Sequence, residues 1–266
     1  MKIQFTKMHG SGNDFVIIDG TRTKYNLTKD GISLMANRHF GIGCDQVLLL
    51  ENATAKGIDF SCRIFNADGR EAEQCGNGMC CLAKFAYENN LTDKKNLSIA
   101  TCARQVKTQL EDDDSVTVNM GDVITKGKVT LKMENNAETE VSVISVGNPH
   151  AVILVNDISL APVSTLGHNI SKHQVFPEGV NAEFMQIVDR NYVKLRVFER
   201  GAGESLACGS GATASVAYGI LENLLDKAVD VSLPGGILKI TWENPKASIF
   251  LKGPAAFVFQ GNCDIP

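Results

Sequence analysis

Two stretches of the chain share one pattern: FNADGREAEQCGNGM at residues 65–79 and FERGAGESLACGSGA at residues 198–212. Both begin with phenylalanine and contain Cys-Gly-x-Gly, and their cysteines, Cys75 and Cys208, are 133 positions apart in a chain of 266 residues. A repeat at half the chain length, with matched positions in one order, is the signature of an internal duplication. The sequence therefore predicts two similar domains.

Shorter echoes of the repeat precede each of these stretches. Gly12-Asn13 matches Gly147-Asn148 at an offset of 135, and each pair is followed by an apolar run. The pattern Gly-x-Asp at 43–45 matches Gly-x-Asn at 179–181 at an offset of 136. Four features at nearly one offset make chance similarity a poor explanation.

Strand-like patterns outnumber helical ones in both halves. Short alternating or apolar runs bounded by turn residues recur along the chain, whereas the clearest helical patterns run from about 76 to 89 and from 209 to 223. Strands in series with few helices indicate an α+β fold. We predict two pseudo-symmetric domains, each a mainly antiparallel sheet around a central helix. The first would span residues 1–118 and be joined by residues 255–266, and the second would span 119–254.

Composition and charge argue against two classes of function, nucleic-acid binding and membrane insertion. The net charge is −4 and no basic stripe is present, which argues against nucleic-acid binding. No apolar run approaches the roughly 20 residues of a bilayer span, and the N-terminal segment has no apolar signal core. We therefore expect a cytoplasmic protein that acts on a small molecule.

The eight cysteines fall into different groups. No Cys-x-x-C pair occurs, so neither a structural zinc site nor any other metal site is expected. Disulfides are rare in a reducing compartment. Four cysteines are interpreted as small buried hydrophobes: Cys44, Cys62, Cys102 and Cys263.

Cys75 and Cys208 each stand just before a predicted helix. The unpaired N–H groups and the dipole at a helix start favour a thiolate there, and the same N–H groups can hold a carboxylate. Two such turns on facing domains would aim two sulfurs at one carbon. One thiolate would remove a proton from one face while the opposite thiol donates a proton to the other, with no cofactor such as pyridoxal phosphate. The alternative is a structural repeat whose cysteines only pack.

At these residues the chain closely resembles the diaminopimelate epimerase family, and the resemblance extends over nearly its whole length. The matching segments are KMHGSGNDFVIIDG (7–20), RHFGIGCDQVLLL (38–50), FNADGREAEQCGNGM (65–79), VGNPHAV (146–152), EGVNAEFMQ (178–186) and ERGAGESLACGSGA (199–212). The resemblance implies interconversion of LL- and meso-2,6-diaminopimelate, on the route to lysine and to peptidoglycan. It also implies a homodimer.

The resemblance assigns a role to particular residues. Cys75 and Cys208 match the acid/base pair. The segments that bind the α-carboxylate through their backbone match Gly76, Asn77, Gly209 and Ser210. Other substrate-binding positions match Asn13, Gln46, Asn66, Asn148, Asn181, Glu199 and Arg200. His150 and Glu199 match residues that influence the protonation of the cysteines.

Arg200 bears on the choice of substrate. A diaminopimelate has a distal carboxylate, which a guanidinium can bind in bidentate fashion. One rival is a proline racemase or hydroxyproline epimerase of the same fold, whose substrate lacks that carboxylate. A second rival is a non-catalytic amino-acid-binding or structural protein. The chain departs from the family at Cys80, where the family often carries arginine.

Overall fold

The computed structural model describes residues 1–133 and 136–266. These residues form two compact units. The first unit comprises Met1–Val118 together with Gly253–Pro266, and the second comprises Asn119–Lys252. The return of the chain to the first unit thus begins at Gly253, two residues before the predicted position.

The strands and helices are numbered in chain order. The elements up to residue 121 are β1 (Lys2–Gly10), β2 (Asn13–Asp19), α1 (Lys29–Ala36), β3 (Gln46–Asn52), β4 (Phe60–Asn66), β5 (Glu71–Ala72), α2 (Gly76–Glu88), β6 (Asn96–Ala100), β7 (Gln105–Leu110) and β8 (Val116–Gly121). The remaining elements are β9 (Ile124–Lys132), β10 (Glu138–Ser145), β11 (Pro149–Leu154), α3 (His168–Ser171), β12 (Asn181–Asp189), β13 (Tyr192–Glu199), β14 (Gly203–Ser205), α4 (Gly209–Leu221), β15 (Ala228–Leu233), β16 (Gly236–Thr241), β17 (Ile249–Gly253) and β18 (Ala256–Asp264). A 3₁₀ turn (Ile158–Leu160) and a π-helical turn (Val163–Gly167) precede α3.

Strand pairing in the first unit is mostly antiparallel. β1 lies between β18 and β2, and β3 pairs antiparallel with β4. The β2–β3 and β4–β6 pairs are parallel. β7 then continues the sheet from β6.

The second unit repeats this pairing element by element. β10 lies between β9 and β11, the β11–β12 and β13–β15 pairs are parallel, and β12–β13 and β15–β16 are antiparallel. The C-terminal strand β18 of the first unit therefore has the place that β9 has in the second. Two duplicated α+β units with mainly antiparallel pairing confirm the predicted fold class.

Strand register aligns the two units more exactly than the sequence echoes do. In the parallel β2–β3 pair Phe15 lies beside Gln46, and in the parallel β11–β12 pair His150 lies beside Asn181. Asn181 is thus the counterpart of Gln46. The alignment of Asn181 with Asp45, suggested by the Gly-x-Asp and Gly-x-Asn patterns, is wrong by one residue.

The two helices that follow the repeated cysteines pack on the sheets of their units in the same way. Helix α2 contacts β1, β2, β3 and β7, and α4 contacts the corresponding strands β10, β11, β12 and β16. Both helices are buried along most of their length, as expected for helices that are apolar on every side. The predicted helices at 76–89 and 209–223 are confirmed. Helix α1, by contrast, was not predicted.

The cysteines divide differently from the prediction. Cys44 and Cys62 are buried, but Cys102 is exposed and Cys263 is only half-buried. The buried-hydrophobe interpretation is wrong for Cys102, which follows the end of β6. Cys80 lies inside α2 and is buried, with its sulfur against the carbonyl of Val116. In the part of the chain that the structure describes, no helix has both the length and the hydropathy to cross a membrane.

Candidate active site

Each of the two repeated cysteines is the N-cap residue of its helix. Cys75 has extended backbone angles directly before α2, and its Sγ accepts a hydrogen bond from the Gly78 amide at 3.3 Å. Cys208 has extended angles directly before α4. In this position the sulfur lies beside the first-turn N–H groups, which have no acceptor within the helix. We call the surroundings of Cys75 the first cysteine site and those of Cys208 the second.

The first cysteine site contains two asparagines. The Cys75 thiol points to Asn13 Oδ1 at 3.8 Å, and Asn77 Nδ2 donates to the same oxygen at 3.4 Å. Asn13 reaches this place because a two-residue turn with positive φ at Ser11 and Gly12 joins β1 to β2. The predicted residues Cys75, Asn77 and Asn13 therefore lie together.

Asp45 fixes which end of the Asn13 amide faces Cys75. Asn13 Nδ2 donates to Asp45 Oδ2 at 2.8 Å. A carboxylate oxygen only accepts, so the amide nitrogen must face Asp45, and the amide oxygen then faces the helix start. The hydrogen bond to Asp45 thus orients Asn13 so that its amide oxygen, a hydrogen-bond acceptor, faces the Cys75 thiol.

A charged network holds Asp45 in turn. Arg38 donates to both oxygens of Asp14 and to Asp45 Oδ1, and Lys7 donates to Asp14 Oδ2 at 2.6 Å. Burial alone would raise the pKa of Asp14, but the hydrogen bonds from Arg38 and Lys7 outweigh it and lower that pKa to about 2. Asp14, which anchors Arg38 beside Asp45, therefore stays ionised near neutral pH.

Gln46 and Asn66 form a second polar pair in the first unit. They lie opposite each other on β3 and β4, and Gln46 Nε2 donates to Asn66 Oδ1 at 2.9 Å. Gln46 Oε1 is buried without a hydrogen-bond partner among the described residues. An unpaired buried acceptor is costly unless a ligand completes it, which fits the predicted role in substrate binding.

The second cysteine site has a carboxyl group directly beside its sulfur. The Cys208 thiol donates to Glu199 Oε2 at 3.3 Å and lies 3.6 Å from Ser210 Oγ. Asn148 Nδ2 donates to Ser210 Oγ at 3.4 Å. The predicted residues Glu199, Ser210 and Asn148 are thus assembled around Cys208.

Burial sets the protonation of Cys208. It raises the pKa of the thiol well above its ordinary value, and the negative charges of Glu199 and Glu183 raise it further. Ser210 and the Gly211 amide lower it but are outweighed. The expectation that the helix start favours a thiolate is wrong for Cys208 in this structure, because desolvation exceeds the effect of the helix.

His150 connects the second cysteine site to a buried carboxyl group. His150 Nε2 lies 3.0 Å from Asn148 Oδ1, and His150 Nδ1 lies 2.6 Å from Glu183 Oε1. Neither side chain of the His150–Glu183 pair has any exposed surface. Burial raises the pKa of Glu183, although its contact with His150 acts in the opposite direction.

Arg200 is held by the loop before β12. Its backbone N–H donates to Asn181 Oδ1 at 2.9 Å, and its guanidinium donates to the Glu178 carbonyl at 2.8 Å. Gly179 has φ +76°, and a Cβ there would come within 2.8 Å of the Arg200 side chain, so glycine is needed for this close approach. Among the described residues the guanidinium forms no ion pair with a carboxylate.

Arg200 also borders a groove in the second unit. The groove has a volume of about 570 Å³ and is lined by Arg200, Gly201, Glu178 and residues of α3. Cys208 does not line it. Within this unit, therefore, the groove lies beside Arg200 and not beside the Cys208 sulfur.

Two residues of these sites were missed by sequence reasoning, Asp45 and Glu183. Both stand inside the family-like segments 38–50 and 178–186. Glu183 could have been noticed as a carboxyl residue flanked by the apolar residues Ala182 and Phe184. Asp45 could have been noticed as the acidic residue directly before Gln46.

These features define a class of protein: duplicated α+β units, each with a cysteine capping its sheet-packed helix. Known structures of this fold include a hydroxyproline epimerase from Agrobacterium vitis, with a TM-score of 0.78 at 16% identity, covering 98% of this chain and 92% of that chain. The family model for diaminopimelate epimerase matches residues 5–126 and 142–258. The chain belongs to the diaminopimelate epimerase family and is an isomerase.

Curated relatives support this assignment over the full length. A diaminopimelate epimerase of Legionella pneumophila (strain Lens) is 50% identical over 274 residues, which cover 98% of this chain and 99% of that protein. One of Aromatoleum aromaticum is 46% identical over 276 residues and covers both chains completely.

Proposed function

We propose that the protein interconverts LL- and meso-2,6-diaminopimelate by moving a proton between Cys75, Cys208 and the substrate's α-carbon. The observation that carries the proposal is the duplicated N-cap cysteine. Each cysteine stands at the start of the helix of its unit, inside a segment that matches the family.

The chemistry requires two groups in opposite protonation states. One sulfur, as thiolate, removes the α-proton from one face, and the other, as thiol, donates its proton to the opposite face. The roles exchange in the reverse direction. Because the raised pKa of Cys208 keeps its thiol protonated at rest, we assign Cys208 the role of proton donor in the resting enzyme.

The substrate's carboxylates have separate partners in this proposal. The α-carboxylate is held by backbone N–H groups of Gly76 and Asn77 and of Gly209 and Ser210, which favour the carbanionic charge as it develops. The distal carboxylate binds the Arg200 guanidinium, which forms no ion pair with a carboxylate of the described residues.

Amide side chains form hydrogen bonds to the ammonium groups and to the remaining carboxylate oxygens of the substrate. These side chains belong to Asn13, Gln46, Asn66, Asn148 and Asn181. Glu199 and His150 adjust the charge beside Cys208. No pyridoxal phosphate or other cofactor takes part in this scheme.

We further propose a cytoplasmic homodimer that acts in the biosynthesis of lysine and of peptidoglycan precursors. The support for dimerisation is on β18, where Phe257, Val258 and Phe259 are all about half-exposed. The register between β1 and β18 slips at these residues, and all three side chains leave apolar surface open there. Sedimentation of the purified protein would test this: a monomer at micromolar concentration would contradict it.

Solvent exchange tests the substrate. In D₂O the protein should incorporate deuterium at the α-carbon of LL- and meso-diaminopimelate and not of proline or hydroxyproline, as followed by NMR. Exchange into proline alone would favour the racemase alternative. Binding of diaminopimelate without exchange would favour a non-catalytic binding protein.

A further inference from the structure

The two units place different residues under their cysteine-capped helices. Counting along the matched parallel strand pairs, Leu48 on β3 corresponds to Glu183 on β12. A Cβ on Gly78 would lie 3.4 Å from Leu48 Cδ1, and one on Gly211 would lie 3.1 Å from Glu183 Oε1. Both side chains therefore contact the first turn of the helix beside the cysteine.

The fold itself does not require a carboxyl group at this position. The first unit fills the place of His150 with Phe15 and the place of Glu183 with Leu48, and both are fully buried. Glu183 is equally buried, and its Oε2 has no hydrogen-bond partner among the described residues. An unpaired buried carboxyl oxygen is costly, so its presence needs another explanation than packing.

A continuous chain of polar contacts joins Glu183 to the Cys208 sulfur. It runs from Glu183 Oε1 to His150 Nδ1, from His150 Nε2 to Asn148 Oδ1, and from Asn148 Nδ2 to Ser210 Oγ. Ser210 Oγ then lies 3.6 Å from Cys208 Sγ. The first unit has an apolar pair where this chain begins.

We propose that Glu183 is a positioning residue of the second cysteine site. It orders Asn148 and Ser210 through His150, and it sets the charge beside the Cys208 sulfur. Its meaning for catalysis rests on the proposed function, whereas its effect on the thiol does not.

The expected direction follows from the groups around the sulfur. Cys208 faces Glu199 from β13, Glu183 from β12, and Ser210 with the Gly211 amide from α4. Glu183 faces His150 from β11, and their short hydrogen bond holds one shared proton. When that proton leaves, one negative charge remains beside Cys208 and disfavours its thiolate. Replacing Glu183 with a neutral side chain of the same shape therefore lowers the pKa of Cys208.

The test measures thiol reactivity without substrate. Iodoacetamide alkylates thiolates, and peptide mass spectrometry reads Cys75 and Cys208 separately in one digest. Between pH 7 and 10, Glu183→Gln should alkylate Cys208 about threefold or more faster at a given pH, corresponding to about half a pKa unit. The profile of Cys75, which has Leu48 beside its helix, should not change. Glu140→Gln, an exposed glutamate on β10 of the same unit, is the matched control and should leave both profiles unchanged.

A double variant covers the case in which Glu183→Gln does not fold. His150→Phe with Glu183→Leu installs the apolar pair of the first unit, and it should show the same acceleration at Cys208. An unchanged Cys208 profile in the folded variant, or an equal shift at Cys75, overturns the proposal. In the epimerisation assay, Glu183→Gln should shift the pH profile of kcat while KM stays within about twofold, because glutamine still hydrogen-bonds His150. Absence of epimerase activity in the unmodified protein would refute the proposed function and leave the alkylation result standing.

Discussion

The two cysteine sites share a backbone plan and differ in how they orient their asparagines. Asn13 is oriented by Asp45, which belongs to a partly exposed network with Asp14 and Arg38. Asn148 is oriented by the fully buried pair of His150 and Glu183.

The difference is an exchange of positions. Where the first unit has Asp14 and Asp45, the second has Pro149 and Val180, by the register of the parallel strand pairs. Where the second unit has His150 and Glu183, the first has Phe15 and Leu48. The duplicated fold thus demands an oriented asparagine at each helix start but does not prescribe which residues orient it.

The ends of the matched strands β4 and β13 also differ in charge. Asn66-Ala67 in the first unit corresponds to Glu199-Arg200 in the second. The second unit therefore has a carboxyl group and a guanidinium where the first unit has an amide and a methyl group.

The largest effect is expected when one of the two sulfurs is removed. Cys75→Ala and Cys208→Ala should each lower kcat for epimerisation about 10³-fold, because each direction needs both a base and an acid. Circular dichroism and urea unfolding would check that the fold is retained, and Cys102→Ala is a control at an exposed cysteine. Full turnover by either single variant would contradict the requirement for both cysteine sites, since one site alone would then suffice for epimerisation.

The next largest effect is expected at Arg200, whose counterpart in the first unit is Ala67. Arg200→Lys should raise KM for diaminopimelate about 100-fold with a smaller change in kcat, because an ammonium cannot bind a carboxylate in bidentate fashion. Steady-state kinetics in both directions would measure it. Arg70→Lys, whose arginine pairs with Asp68 on the surface of the first unit, is the control. An unchanged KM would remove Arg200 from the binding site.

A smaller effect is expected from the support of Asn13. Asp45→Ala should lower kcat/KM about tenfold, because the Asn13 amide is then free to turn its nitrogen toward Cys75. Asp45→Asn keeps an acceptor oxygen and should recover most of the activity. Equal losses in the two variants would show that the charge of Asp45, and not its acceptor, is what matters.

The smallest effect is on stability. The pKa of Asp14 is depressed from 3.8 to about 2, so its ion pairs stabilise the folded state above pH 3.8 and the contribution is lost as pH falls toward 2. Asp14→Asn should lower the free energy of unfolding by roughly 1 kcal/mol at pH 7, after allowance for partial solvent screening. Urea unfolding from pH 7 to pH 3 should show this difference shrinking below pH 4. Asp112→Asn, at an exposed ion pair with Lys95, should show almost no difference at any pH.

Much of the fold was readable from the sequence. The 133-residue repeat predicted the duplication, and Cys-Gly-x-Gly predicted where α2 and α4 begin. Helix α1 was not predicted, and neither were several strands, among them β3, β6, β7, β9, β12 and β17. The run QVLLL at 46–50 is apolar without alternation after Gln46, because α1 packs on one face of β3 and α2 packs on the other. Such a run does not distinguish strand from helix.

The sequence predicted which residues form the candidate site but not the contacts between them. The family-like segments indicated Cys75, Cys208 and their asparagines, and the structure brings these residues together within each unit. The roles of Asp45 and Glu183 depend on contacts between residues 32 or 33 positions apart. No local pattern encodes such contacts, because they arise only when two strands pair.

The sequence by itself determined the duplication, the two helix starts and the sulfur at each of them, since these follow from local patterns and from their repetition. Only the tertiary structure decided how each asparagine is oriented and how the Cys208 thiol is charged. Hydrogen-bond partners and desolvation are set by neighbours that come from other strands, and the folded chain alone determines which neighbours those are.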